Sequence, residues 1–466
     1  MSSHVGEVDS TYTKFQKRWK TCRDVIEGKD DVFTGKETYL ARLSGQDDDE
    51  YKAYQVRAGW YGATDRTKQA LKGMIFRKPP EIKKESDAFD DFIEDATLSG
   101  DSLESLANMI TDEVLETGRM GILVDHQRRP DRNLSAAEAE QMNLRPYLQV
   151  YKAEDILGFR KETINNKNMV TQIRLRETTQ VEGDDEFDND TLHRIRVLEI
   201  VDGLYQQRVF EQGEEDGHYD HTETIQPRKN GQRFNYIPFY FVGVQDLDPS
   251  YDKPPLLDLA EVNLDYYRTK ADYKHGLHFT GLPTAIIKGH RPENEGTEFR
   301  IGSTTAWVFP EADADAKYLE FTGQGLSELA GELKELKNDM AALGARMLAT
   351  EKRQAEAAES HMIKRSGEHS LLASIANNIS EALTTACQEA ADWMGAAGEI
   401  SVHLNTDFIP IEMTTKEVLE LWQVVQAGGM LMDDFLYNLR QGERLNPNVD
   451  DDERMNQLQT EPPMGM

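Results

Sequence analysis

The feature that most constrains the fold is an unbroken apolar repeat near the middle of the 466-residue chain. Between residues 326 and 347 an apolar side chain recurs at alternating intervals of three and four residues. This spacing places all of them along one side of an α-helix and is typical of a helix that packs lengthwise on another helix. We call this set the seam; it comprises Leu326, Leu329, Leu333, Leu336, Met340, Leu343 and Met347.

A second long helix is predicted upstream of the seam, over residues 255–279. Pro254-Pro255 favours a helix start because proline suits the first turn, and Gly281-Leu282-Pro283 favours its end. At about 1.5 Å per residue, each of the two helices would be roughly 35 Å long. The residues between them, 284–321, form a small module with three strand-like stretches, at 284–287, 307–309 and 318–321. The sequence therefore predicts two long paired helices that carry a small strand-rich module at one end.

The rest of the chain mixes helical and strand periodicities. Apolar residues recur at helical spacing in 88–96 and 103–117, and a third long helix is predicted at 367–395. From about 145 to 245 the period changes to two, as in half-buried strands. We therefore predict an α+β protein. Two polar insertions, EGDDEFDND at 182–190 and EQGEEDGHYDHTET at 211–224, are predicted to be mobile, solvated loops.

The charge balance restricts how this protein can contact nucleic acid. With 53 basic and 84 acidic side chains, the formal net charge is −31. A protein that holds DNA by neutralising phosphates needs a basic surface, so tight DNA binding is disfavoured. An acidic surface suits a protein that contacts DNA without holding it, and it equally suits an ordinary soluble protein.

Cysteine content and hydropathy indicate the kind of compartment in which the chain folds. Cys22 and Cys387 are the only cysteines, which is too few for a disulfide framework or a thiolate metal cluster and favours a reducing compartment. The N-terminal segment MSSHVGEVDSTYTKF lacks the apolar run of a signal peptide. No stretch is apolar over the roughly 18 residues that a membrane span needs.

The motifs that could carry chemistry are incomplete. The segment 28–38 resembles a P-loop, but its glycines are too far apart, and Glu37 occupies the place of the hydroxyl that binds magnesium. His218, Asp220 and His221 are a fragment of a metal site in a charged segment that we expect to be a loop. The acidic runs 47–50, 184–190 and 450–453 lack the spacing of a calcium loop. We therefore predict no catalytic residue, no metal site and no cofactor.

Five segments resemble those of a known family. They are RAGWYGATDRTKQALKGMIFRKPP at 57–80, ETGRMGILVDH at 116–126, YLQVYKAEDILGF at 147–159, HLNTDFIP at 403–410 and GGMLMDDFLYNLRQGERL at 428–445. In this order they resemble the portal proteins, or head-to-tail connectors, of tailed bacteriophages, of the DUF4055 type. The resemblance extends over roughly residues 50 to 455.

The resemblance implies a division of the chain. It assigns 1–253 to a wing whose β-rich part is 145–245, 254–280 and 325–348 to two stem helices, and 281–324 to a clip between them. It further assigns 349–366 to a loop that faces the channel, 367–410 to a long helix and a return to the wing, and 411–466 to a helical crown.

The resemblance also implies a function without catalysis and a set of partners. Portal subunits form a ring, usually of about twelve copies, at one capsid vertex, through which double-stranded DNA is packaged and ejected. Implied partners are the terminase large subunit, a head-completion or tail adaptor, and the major capsid and scaffolding proteins, with assembly in the host cytoplasm and a final location in the virion; no membrane partner is implied. Under this reading an acidic lumen repels DNA while a few basic groups on the loop touch it transiently. The candidates for these contacts are Lys352, Arg353, Lys364 and Arg365.

Two other functions are compatible with the sequence. One is another acidic structural or scaffolding component of a virion, without a channel. The other is a metal-dependent hydrolase or nuclease that uses the acidic runs with His218 and His221. Ring formation distinguishes the portal from the first, and activity with magnesium or manganese that depends on His221 would indicate the second.

Overall fold

A computed structural model describes most of the chain. Its residues are 4–127, 138, 142–164, 166–182, 189–213, 217–229, 231–281, 284–289, 313–319, 323, 325–348, 370–396, 398–408, 413–441 and 444–445. Helices and antiparallel strand sets both contribute to it, so the protein is α+β, which confirms the prediction.

The N-terminal part is mainly helical. Its helices are α1 (Ser10–Glu27), α2 (Lys29–Thr34), α3 (Asp48–Ala58), α4 (Ala63–Ile75), α5 (Asp90–Glu94) and α6 (Leu103–Thr117). Helix α6 begins where the Ser102 hydroxyl accepts a hydrogen bond from the Ser105 N–H, and it ends at Gly118, which adopts the left-handed conformation with φ 77°. Its apolar residues are buried, as the helical spacing of 103–117 predicts.

Two antiparallel sheets follow. The first consists of β2 (Arg119–His126) between β3 (Pro146–Lys152) and β11 (Phe239–Gly243). The second is a meander in which each strand pairs with the next along the chain. Its strands are β4 (Ile156–Ile164), β5 (Lys167–Glu182), β6 (Asn189–Val201), β7 (Leu204–Gln212) and β8 (Tyr219–Ile225). Shorter pairs are formed by β1 (Glu81–Lys84) with β14 (Ile400–His403), and by β9 (Arg228–Lys229) with β10 (Gln232–Arg233).

One predicted loop is a strand. The insertion 211–224 was expected to be a solvated loop, but β8 occupies Tyr219–Ile225 and pairs with β7, with His221 opposite Phe210. The strand lies at the edge of the meander and its side chains are mostly exposed, so it has no alternation of apolar residues that would reveal it. The other insertion, 182–190, connects β5 to β6, and its residues 183–188 lie outside the described part of the chain.

Three long helices complete the architecture: α7 (Leu257–Gly281), α8 (Leu326–Arg346) and α9 (Leu371–Met394). Between α7 and α8 lies an antiparallel strand pair, β12 (Thr284–Lys288) and β13 (Asp315–Leu319). Helix α9 starts at the N-cap Ser370, ends at the left-handed Gly395, and is buried on one broad side against the first sheet, β14 and α6. It forms the centre of the hydrophobic core.

The C-terminal described residues form a helical hairpin of α10 (Thr415–Gln426) and α11 (Met432–Gln441). Trp422 packs on Phe435 with ring centroids 5.4 Å apart, which joins the two helices. Within the described residues no helix is both long and apolar enough to cross a membrane.

Candidate functional site: a projecting helix pair

Helices α7 and α8 leave the body of the protein as a pair. The first half of α7 is buried in the core, at residues such as Leu259 and Tyr267, whereas in its last turns Leu277 is 37% and Phe279 51% exposed. Helix α8 shows the opposite trend, because Met340 near its end is 3% exposed while its first three turns have no fully buried residue. The pair therefore projects from the core by its last α7 turns and its first α8 turns.

The seam lies against α7 of the same chain. Its residues are half-buried or buried, whereas most other positions of α8 are exposed. At the far end the approach is close: a Cβ added to Gly276 would lie 2.7 Å from Leu326 Cδ2. The partner helix that the repeat predicts is therefore α7 of the same chain. The repeat predicts the helix–helix packing, but it cannot tell whether the partner helix is in the same chain.

The far end of the pair carries the strands β12 and β13. Their register places Thr284 opposite Leu319 and Lys288 opposite Asp315. The chain therefore goes out on α7, forms a strand pair and returns on α8. Of the three predicted strand stretches, 307–309 lies outside the described residues, and the third is shifted to Asp315–Leu319.

A basic cluster lies beside the base of the pair. The ammonium groups of Lys270 and Lys337 lie 5.7 Å and 5.6 Å from the ring centroid of Tyr266, and Lys337 also lies 4.9 Å from that of Tyr61. The pKa of Lys270 is lowered by burial and by the neighbouring charges of Lys274 and Lys337. We call Lys270, Lys274 and Lys337 the basic edge. The sequence alone does not reveal it, because only the packing of α7 on α8 brings Lys337 to Lys270 and Lys274.

An acidic stripe lies on the other side of α8. Glu328, Glu332, Glu335 and Asp339 follow one another at intervals of four, three and four residues, and all are exposed. Lys337 comes two residues after Glu335 and two before Asp339, which is about 200° around a helix and therefore on the opposite side. We call these four residues the acidic edge.

The candidate DNA contacts cannot be placed. Lys352, Arg353, Lys364 and Arg365 all lie in residues 349–369, outside the described part of the chain. The described chain stops at Leu348, whose N–H donates to the Ala345 carbonyl, and resumes at Ser370.

The candidate metal fragment does not converge on one point. Asp220 and His221 are neighbours on β8, and successive strand residues point to opposite faces of a sheet. His221 Nε2 lies 2.9 Å from Thr224 Oγ1, and His218 Nε2 lies 3.4 Å from Asp220 Oδ1. Among the described residues, no three His, Cys, Asp or Glu side chains are grouped so that they could hold a metal ion.

Other titratable groups that could serve catalysis have structural partners. A groove of about 650 Å³ beside α1 and α6 is lined by Arg23, Glu113 and Glu116, and the guanidinium of Arg23 forms ion pairs with both carboxylates. Both cysteines are buried, and burial raises the pKa of the Cys22 and Cys387 thiols to about 12, so neither is a thiolate near neutral pH.

The helix pair coincides with a recognised family segment. Residues 255–394 match the family model described as a domain of unknown function, DUF4055. The matched segment begins at Pro255, just before α7, and ends at the last residue of α9, so it contains the helix pair, the strand pair and the core helix. The match confirms the resemblance to DUF4055-type proteins for this part of the chain, and the family's description names no function.

Comparisons with whole proteins give no further support. No curated protein matches the sequence. A chain from the neck of an empty gene transfer agent particle superposes with a TM-score of 0.39 at 13% identity, covering 86% of this chain and 96% of that one. A chain from the neck of the native particle gives a TM-score of 0.40 at 13% identity, covering 87% and 98%. At these TM-scores the likeness carries no argument about this chain.

Proposed function

We propose that the protein is a portal subunit of a tailed bacteriophage, a structural component that forms a ring-shaped channel for double-stranded DNA at one capsid vertex. The observation that carries the proposal is the projecting helix pair with a strand pair at its far end. Long paired helices that leave a globular body can line a channel, and the strand pair at their tip is placed to contact a docking partner. The five sequence segments that resemble portal proteins support the same function.

In this proposal each part of the chain has a place. Residues 1–253 form the wing, α7 and α8 the stem, residues 281–324 the clip, and 411–466 the crown. The clip binds the terminase motor during packaging and the tail adaptor afterwards, and the wing contacts the capsid and scaffolding proteins. Energy for DNA movement comes from the separate motor, so the portal itself needs no catalytic group.

The proposed channel has a simple electrostatic basis. A net charge of −31 makes the protein repel DNA on average, which keeps phosphate contacts weak and allows the duplex to slide. Four basic residues in the segment 349–366 supply transient contacts with the DNA backbone. Such contacts position the duplex without reading its sequence.

The experiment that tests the proposal is negative-stain microscopy of the purified chain with its mass measured by light scattering. Rings with a central hole and a mass of about twelve copies are expected. A chain that stays monomeric when concentrated would contradict the proposal. Acidic assemblies without a hole would favour a different virion component.

The loop contacts have their own test in a packaging assay with this ring. Replacing Lys352, Arg353, Lys364 and Arg365 together by Gln should leave the rings intact and reduce the amount of DNA retained. The control replaces Lys14, Lys17 and Lys52, which are exposed lysines on α1 and α3, by Gln. Equal DNA retention in both variants would contradict the role of the loop.

A further inference from the structure

Among the described residues, the basic edge has no acidic partner within its own chain. Elsewhere on α7 the guanidinium of Arg268 is paired with Asp265 at 2.7 Å. Lys270, Lys274 and Lys337 form no ion pair with any described carboxylate, although 84 acidic side chains outnumber the 53 basic ones. The half-buried ammonium group of Lys270 is repelled by the two neighbouring ammonium groups, and an anionic group that faced the three would relieve this repulsion.

The acidic edge is unpaired in the same sense. No described basic side chain forms an ion pair with Glu328, Glu332, Glu335 or Asp339, and their stripe runs along about three turns of α8. The two edges flank the seam on its two sides. The helix pair therefore presents one charge on one side and the opposite charge on the other.

We propose that the basic edge of one copy binds the acidic edge of the α8 helix of a neighbouring copy of this chain. This inference rests on the proposed ring, and it identifies which surfaces of adjacent subunits meet. The occupant is a second copy because the chain itself supplies the complementary surface, on the opposite side of the helix pair.

The arrangement also selects the symmetry of the assembly. Because the two edges lie on opposite sides of the helix pair, a two-fold dimer centred on either edge would place lysines against lysines or carboxylates against carboxylates. Such like-charge contacts oppose association. A head-to-tail contact pairs the basic edge with the acidic edge at every interface, and repeated around an axis it closes into a ring. The edges thus disfavour two-fold dimers and favour rings.

Aromatic rings hold the basic edge in position. Tyr266 is buried on α7 and Tyr61 lies in the segment before α4, with their ring centroids 5.2 Å apart. Their faces attract the ammonium groups of Lys270 and Lys337 and limit the conformations that those long side chains sample. Less conformational entropy is then lost when a carboxylate of the neighbour binds.

The test is a charge-reversal cycle on the full chain, with assembly followed by light-scattering mass and negative-stain microscopy. One variant carries Lys270→Glu, Lys274→Glu and Lys337→Glu, and a second carries Glu332→Lys, Glu335→Lys and Asp339→Lys. Each should raise the concentration at which half of the chain is in rings by at least about tenfold. A third variant with all six substitutions has both edges inverted, so it should form rings again.

A mixing experiment makes the test specific for the pairing. In the first variant both edges are acidic, and in the second both are basic. Neither should form rings alone, but a mixture in equal amounts should, with the two chains alternating around the ring. The control with the same change in net charge is Lys14→Glu, Lys17→Glu and Lys52→Glu, which should assemble like the unchanged chain.

The possible outcomes separate this inference from the proposed function. If the unchanged chain forms rings and the first variant forms them at the same concentration and salt, the pairing of edges is overturned and the portal proposal stands. If the first variant forms rings but these rings retain less DNA, the pairing of edges is overturned in favour of a DNA contact at the basic edge. An unchanged chain that never forms rings would overturn both. Failure of the single-edge variants with recovery in the mixture supports the pairing.

Discussion

Asn263 on α7 caps the first turn of α4 through its contact with Thr64. The Asn263 Oδ1 atom accepts hydrogen bonds from the Thr64 hydroxyl at 3.2 Å and from the backbone N–H groups of Ala63 and Thr64 at 3.1 and 3.2 Å. Its Nδ2 group donates to the Tyr61 carbonyl at 3.0 Å. Helix α4 starts after Gly62, which has no side chain to cap it, so a residue 200 positions away satisfies the free N–H groups.

This cap fixes the base of the helix pair to the N-terminal helices. Asn263→Leu should lower the free energy of unfolding by about 1–3 kcal/mol, because it leaves the buried N–H and hydroxyl of Thr64 without their shared acceptor. Urea unfolding followed by circular dichroism measures the change. The control is Asn338→Leu on the exposed side of α8, where the loss should stay below about 0.5 kcal/mol. An equal loss at both positions would show that the cap contributes no specific stability.

Arg23 on α1 links this helix by ion pairs to α6 and to the short turn before β4. Its Nε atom lies 2.6 Å from Glu154 Oε1, its NH1 atom lies 2.8 Å from Glu116 Oε2, and it also pairs with Glu113. Arg23→Met should lower the free energy of unfolding by about 3–5 kcal/mol near neutral pH, because Glu113 and Glu154 lose their ion-pair partner, whereas Glu116 keeps Lys68. The control Lys83→Met, which removes an exposed ion pair with Glu81, should cost less than about 1 kcal/mol.

The cost of Arg23→Met should also depend on pH. Burial opposes ionisation of Glu154, yet the hydrogen bonds from Arg23 outweigh it and hold the pKa of Glu154 below its usual value of 4.5. A carboxyl whose pKa is lowered by folding stabilises the protein above its unfolded pKa, and this contribution is lost as the pH falls through the folded pKa. Without Arg23 burial would raise this pKa, and the pKa of the buried Glu113 is already above 4.5, so the difference between variant and unchanged chain should be largest near pH 7 and shrink as the pH falls towards and below 4.5. A difference that is constant over this range would rule out the linkage.

The sequence predicts those elements whose signals are local. The seam gives α8 because its apolar repeat continues without a break for six turns, and Gly118 marks the end of α6 because glycine readily adopts the left-handed conformation there. Strand β8 was missed because it is polar and lies at an edge, where pairing with β7 rather than its own pattern determines its structure. The basic edge was missed for a related reason: Lys270 and Lys337 belong to different helices, and no spacing within one helix indicates that they meet.

Met340 connects the helix pair to the core, because it is the first fully buried residue of the seam. Met340→Ala should lower the free energy of unfolding by about 2–4 kcal/mol, since it removes a buried side chain and leaves a cavity. Hydrogen exchange along Leu326–Arg346 should increase with it, as α8 loses its anchor. Leu277→Ala is the control on the exposed turns of α7, and it should change neither quantity by much. Unchanged exchange in the Met340 variant would mean that the packing on α7 alone holds α8 in place.

Arg119 is the most unusual buried charge in the described part of the chain. It begins β2, is 2% exposed, and its guanidinium lies 4.2 Å from the ring centroid of Tyr251, 5.3 Å from that of Phe241 and 5.7 Å from that of Phe159. Among the described residues its three side-chain nitrogens have no hydrogen-bond acceptor, and burial lowers the pKa of the group. The aromatic faces therefore provide its main compensation for lost hydration.

Replacing this charge by an apolar side chain of similar length should cost little. Arg119→Met keeps most of the packing volume and removes the desolvated charge, so the free energy of unfolding should rise or stay within about 1 kcal/mol. Arg119→Ala is the matched comparison, because it removes the charge and also leaves a cavity, and it should cost about 2–5 kcal/mol. Urea unfolding of the three proteins measures both differences. An Arg119→Met variant as unstable as Arg119→Ala would contradict this expectation. It would show that the contacts of the cation with the aromatic faces contribute more free energy than its burial costs, as in a cation-binding cage.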